Sequence, residues 1–146
     1  MSKAPRIIAG SLCLVAAAAI GYYGLKETEP TAVTVVDLCN KEHDKELVVA
    51  EGTVELPESF STNDNYGELM FKESTGDCYC GIRVFYYAEK KNTMERLANG
   101  YTEEDVKIYD NDGNPIHLGD KIKVTGTISN SYAPYIIKGE KIEKIK

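Results

Sequence analysis

Positive charge is scarce in this sequence. Seventeen Lys and Arg face 23 Asp and Glu, a net charge of −6; setting aside Lys3 and Arg6 leaves 15 against 23, or −8. Proteins that hold nucleic acid draw most of their affinity from neutralising phosphates, so a broad basic footprint is excluded. Histidine is scarcer still, with His43 in a charged turn and His117 beside a turn glycine. No Ser, Cys or paired carboxylate has a discernible activating partner, so neither a catalytic triad nor an acid/base pair can be assembled. The expectation is a protein that is not an enzyme.

The four cysteines contain no Cys-x-x-Cys, and no further ligands cluster as a zinc site needs. Asp110, Asp112 and Gly113 have the composition of a calcium loop but not its register. With Gly113 at the sixth position, the first ligand falls on Ile108 and the twelfth on Gly119. They read as a turn. No metal and no cofactor is expected.

Long apolar runs are absent after the N-terminus, and the one present spans residues 7–25 without a charge. As a helix rising about 1.5 Å per residue it would reach roughly 28 Å, close to the hydrocarbon thickness. Lys3 and Arg6 precede it and Lys26-Glu27-Thr28-Glu29 follow, so the positive-inside bias places the N-terminus in the cytoplasm and the rest in the periplasm or outside the cell. The competing reading is a cleaved signal peptide with Ala17-Ala18-Ala19 at the cleavage site, which would make the protein secreted. Cys13 lacks a convincing lipobox; Tyr22 and Tyr23 sit where a span would leave the bilayer. The expected organisation is a signal-anchor or transmembrane helix over 1–26, a tether and pre-barrel segment over 27–45, and one domain over 46–146.

That domain reads as strands. In residues 119–128, Ile122, Val124, Gly126 and Ile128 share one parity, and Lys121, Lys123, Thr125 and Thr127 the other, the period of a half-buried strand. Tyr135-Ile136-Ile137 starts its hairpin partner. Residues 46–56 carry Val48, Ala50, Gly52, Val54 and Leu56 on one parity. Residues 68–73 form a second strand. Residues 78–87 form a third, with Cys80, Ile82, Val84 and Tyr86 inward, and Tyr79, Arg83, Phe85 and Tyr87 outward. Asn92 is placed to cap a short helix over 93–99, with Glu95 near its start and Gly100 as its stop. Asp110-Asn111-Asp112-Gly113-Asn114 predicts a turn between two short strands, a small extra hairpin.

The words Val49-Ala50-Glu51-Gly52-Thr53-Val54 and Lys123-Val124-Thr125-Gly126-Thr127-Ile128 parallel each other. Glycine inside a strand marks a bulge or bend where a sheet closes on itself. In this pattern the chain resembles the OB-fold, the five-stranded Greek-key barrel, over roughly residues 45–146. The resemblance implies an all-β barrel with one short helix between its third and fourth strands. It also implies a ligand-binding face on the second and third strands and their rim loops. Here that face would comprise Met70, Lys72, Tyr79, Arg83 and Phe85, with Phe60, Tyr66, Tyr132 and Tyr135 from the loops.

Three functions fit. The first is a membrane-anchored, exported binding module for a protein, peptide or glycan. The second is a single-stranded nucleic-acid binder similar to anticodon-binding and single-strand-binding OB domains, in which rings would stack bases; against it, Lys72, Arg83 and Lys138 are few. The third resembles the membrane-anchored haem chaperones, although their haem-attaching His and Tyr lie in a tail beyond the barrel and His117 precedes the fourth strand. In an oxidising compartment Cys39, Cys78 and Cys80 become disulfide candidates, with one bridge from Cys39 to either of the others.

Overall fold

The computed structural model describes residues 28–38, 43–73, 78–129 and 136–146. The apolar run of residues 7–25 lies outside them; among the described residues no helix is long and apolar enough to cross a membrane.

The chain enters through β1 (Thr31–Ala32) and α1 (Val35–Leu38). Thr34 starts α1 because its hydroxyl accepts the Asp37 N–H at 3.1 Å while the Asp37 carboxylate takes the Thr34 N–H at 2.9 Å, a reciprocal cap. Val35 and Leu38 are thereby turned into the core.

Five long strands follow the alternation in the sequence: β2 (Leu47–Glu55), β4 (Tyr66–Lys72), β5 (Tyr79–Phe85), β9 (Lys121–Ser129) and β10 (Ile136–Lys144). Between them lie the short strands β3 (Ser61–Thr62), β6 (Thr93–Met94), β7 (Ile108–Tyr109) and β8 (Pro115–Ile116). Antiparallel pairing joins β2 to β9 and β9 to β10; β10 then runs parallel to β5, and β5 antiparallel to β4. The circle closes where β4 returns to β2 at Thr53↔Lys72, Val54↔Phe71 and Glu55↔Met70. This is the strand order of an OB-like barrel.

Closure depends on two glycines. A Cβ at Gly52 would lie 2.6 Å from the Lys72 carbonyl and 2.8 Å from the Phe71 ring. One at Gly126 would lie 1.9 Å from the Lys138 carbonyl. A methyl group does not fit at either crossing. Inside, Val48, Ile82, Val124 and Ile142 are fully shielded. Val35 and Leu38 cover the end where β5 starts; Met94, Ile108 and Ile116, from the small β6–β7–β8 sheet, join the same core where β5 ends.

One expectation is corrected. Residues 93–99 form no helix: Thr93 and Met94 are a buried strand paired with Tyr109 and Ile108. Asn92 stands at φ 50°, not in the extended conformation of an N-cap, and its side-chain oxygen takes the Ile142 N–H of β10 at 2.7 Å. The Thr93 hydroxyl donates to the Phe85 carbonyl at 2.7 Å and accepts the Tyr87 N–H at 2.8 Å. Long-range bonds thus claim the groups that would have started a helix. The helical turn present in this connection is Glu103–Asp105, capped by Thr102 and Asp105.

The turn expected at residues 110–114 does form and links β7 to β8. The buried Asp110 carboxylate takes the backbone N–H groups of Asp112 at 2.9 Å and Asn114 at 2.8 Å, and the Asn114 side-chain amide. The Asn111 N–H ties the turn to the Ile142 carbonyl at 2.7 Å.

Gly126→Ala should lose about 3 kcal/mol or more in urea unfolding, because the clash is with backbone. Gly139→Ala, whose Cβ would meet nothing closer than 3.4 Å, should lose far less. Burial alone would raise the Asp110 pKa. The Asn114 side-chain and backbone bonds, with the Asp112 and Gly113 N–H groups, outweigh it and hold the carboxyl below its ordinary 3.8. A depressed folded value means stability present above 3.8 and lost as pH falls through the folded value. Asp110→Asn should therefore be less stable than the parent by about 1–2 kcal/mol at neutral pH, and the gap should shrink as pH drops below 3.8.

Candidate binding face on strands β4 and β5

Strand parity turns Tyr66, Glu68, Met70 and Lys72 of β4 outward beside Tyr79, Arg83 and Phe85 of β5. The register sets Tyr66 opposite Phe85, Glu68 opposite Arg83, Met70 opposite Gly81 and Lys72 opposite Tyr79. Rings gather at one end. Tyr66 meets Phe85 edge-on at 5.6 Å between centroids, and Phe85 stacks on Tyr87 at 5.9 Å. Tyr79 is 46% exposed and Tyr87 61%. Such a cluster of open rings is unusual on an indifferent solvent face.

The cations borne by β4 and β5 themselves are already engaged. The Arg83 guanidinium forks onto one Glu68 oxygen, at 3.1 Å from Nε and 2.5 Å from its terminal nitrogen, and lies over the Tyr66 ring at 4.0 Å. Lys72 pairs with Glu55 at 3.0 Å. Lys138, which the register sets opposite Arg83, has no ion pair among the described residues. The face is therefore aromatic and close to neutral.

Of the residues expected there, Tyr66, Met70, Lys72, Tyr79, Arg83 and Phe85 come together. Tyr66 does so from within β4, not from a loop. Phe60 does not join them: it stands on the inner side, 2.8 Å from where a Gly67 Cβ would be, packed on the core and edge-on to Tyr101 at 5.5 Å. An apolar ring in a loop beside a strand glycine fills the space that the missing side chain leaves. Tyr132 and Tyr135 lie outside the described residues. Glu68 and Tyr87 belong to the face as well, and their parity with Met70 and Phe85 is the signal that identifies them.

Cys80 is removed from the disulfide candidates. It is a free thiol, fully buried in the barrel, and burial pushes its pKa up to about 12. Cys78 differs. Its sulfur lies 3.9 Å from the Val35 carbonyl of α1. Cys39 lies outside the described residues. His43 pairs with Glu46 at 2.9 Å, and the backbone N–H of the exposed His117 donates to Asp120 at 2.8 Å. Among the described residues no group of three or more His, Cys, Asp or Glu is placed to hold a metal ion.

The architecture defines an all-β, OB-like barrel. No family model and no curated protein matches the chain. Among solved structures it is similar to the OBody AM1L10 bound to hen egg-white lysozyme, at 13% identity over 81% of this chain and 95% of that one, with a TM-score of 0.47. It is also similar to a putative aspartyl-tRNA synthetase from Leishmania major Friedlin, at 12% identity over 90% of this chain and 26% of that one, TM-score 0.49. A third is the hypothetical protein ygiW from E. coli, at 15% identity over 79% and 90%, TM-score 0.45. The fold assignment rests on the strand order.

Proposed function

We propose that this chain is a non-catalytic binding module whose outer β4–β5 face captures a protein, peptide or glycan. The observation that carries this reading is the ring cluster of Tyr66, Phe85 and Tyr87 at one end of β5, with the exposed Tyr79 at the other, on a face whose Arg83 and Lys72 are already neutralised. Both β4 and β5 are paired along two sides. A partner therefore cannot add a strand there and must be held by side chains. Rings of this kind supply large contact area at small entropy cost. Engaged cations disfavour a phosphate-rich strand, which needs free positive charge along its track.

The apolar run of residues 7–25 supports an exported, membrane-anchored arrangement, and in that compartment Cys39 would pair with Cys78. Cys39 follows the last residue of α1, whose Val35 carbonyl is beside the Cys78 sulfur. Cys80 is too deeply buried to compete. A peptide map of non-reduced protein should contain a Cys39–Cys78 bridge. Breaking that loop of roughly forty residues with Cys39→Ser should cost about 4 kcal/mol; a map with both thiols free would end this part of the reading.

On glycan and peptide arrays, and in crosslinking from native membranes, Tyr79→Ala and Phe85→Ala should each weaken capture by about tenfold or more. Tyr79→Ala should leave the melting temperature unchanged. Retention on single-stranded DNA should be absent at low salt; salt-sensitive retention would instead favour the nucleic-acid reading. If both variants unfold, the rings are structural and no such face exists.

A further inference from the structure

A second concavity lies beyond the end of β5. Tyr86, Tyr87, Lys90, Met94, Arg96 and Tyr109 line a groove of about 440 Å³, within the range of small-ligand sites. Its chemistry differs from that of the β4–β5 face. Glu95, its carboxylate, is shared: it takes the Tyr109 hydroxyl at 2.6 Å, Lys90 at 3.3 Å and, on its other oxygen, Lys107 at 3.5 Å. The Tyr109 bond, followed by the lysines, holds its pKa below the ordinary value. Lys90 also lies 4.9 Å over the Tyr109 ring. The counter-ion of Arg96 is Asp64, whose exposed carboxylate lies 3.5 Å away and whose backbone carbonyl accepts a hydrogen bond from the same guanidinium. Positive charge is thus left over at one spot of a chain that is −6 as a whole.

The Tyr86 hydroxyl is the second observation. It is shielded from solvent and has no hydrogen-bond partner among the described residues. Buried polar groups are ordinarily satisfied. Burial, only partly offset by Arg96, raises its pKa, so it remains a donor at neutral pH. The Arg96 guanidinium stands 5.5 Å over the Tyr86 ring.

We propose that this groove binds a small ligand bearing one carboxylate or phosphate group next to a ring or apolar body. Lys90 and Arg96 hold the oxyanion, the Tyr86 hydroxyl donates to it, and Tyr87 and Tyr109 flank the body. The Arg96 side chain, 60% exposed, swings off the Tyr86 ring to admit the anion. Two cations beside a shared carboxylate suit one charged group, not a polyanion. This groove shares Tyr87 with the β4–β5 face but is not lined by Tyr79 or Phe85.

The test is a titration of the full chain with phenyl phosphate, inorganic phosphate and phenol, followed by amide NMR. Phenyl phosphate should give saturable shifts over residues 86–96 and at Tyr109, inorganic phosphate weaker ones, and phenol none. Lys90→Gln and Arg96→Gln should each weaken binding by about tenfold. Tyr86→Phe should weaken it several-fold while keeping or raising the melting temperature, because it deletes a hydroxyl without a partner. A purely structural tyrosine would not couple those two changes. No saturable shift by about 10 mM, equal binding by the Lys90→Gln and Arg96→Gln variants, or unchanged affinity in Tyr86→Phe would overturn the proposal.

Discussion

Closing five strands into a cylinder forces β2 to serve two neighbours, β9 along most of its length and β4 over its last three residues. Thr53 carries both pairings, facing Lys121 on one side and Lys72 on the other. The chain can bend there because Gly52 leaves its side-chain space to the Phe71 ring and the Lys72 carbonyl. The hairpin of β9 and β10 coils by the same device at Gly126. Without these two close approaches the sheet would remain open, with free edges on β2 and β4.

Closure sets what the surface can do. With the β4 and β5 edges paired, main-chain groups are unavailable to a partner, and recognition falls to the outward side chains. Cross-strand register then decides which side chains meet. It brings Glu68 to Arg83 and Tyr66 to Phe85, so one pairing neutralises charge while the next builds an aromatic patch. At the far end of β5 the chain leaves the barrel, and the bonds of the Thr93 hydroxyl to Phe85 and Tyr87 hold the β6–β8 sheet against it. The same departure places Tyr86 and Tyr87 among the cations of that sheet.

Much of this was legible from alternation. The inward parity of β2, β5 and β9, the two strand glycines and the Asp110 turn all follow from local rules, because burial on one face of a strand imposes a period of two. The Thr34-x-x-Asp37 cap that starts α1 is a local signal too, one that a reading by strand parity passes over. Residues 93–99 were misread because Asn92, Glu95 and Gly100 satisfy helix-capping rules locally, while the bonds that override them come from Phe85, Tyr87 and Ile142, distant in sequence. Phe60 was placed on the wrong side because loop residues have no period from which to infer a direction.

By itself the sequence determined the all-β class, the strands and which side chains face the core, since each depends only on residue type and spacing along the chain. Only the tertiary structure decided that Arg83 and Lys72 are neutralised, that Cys80 is sealed inside, and that Tyr86 lies under Arg96 with its hydroxyl unpaired among the described residues. Those outcomes depend on pairings between residues far apart in the chain, and parity cannot specify a partner.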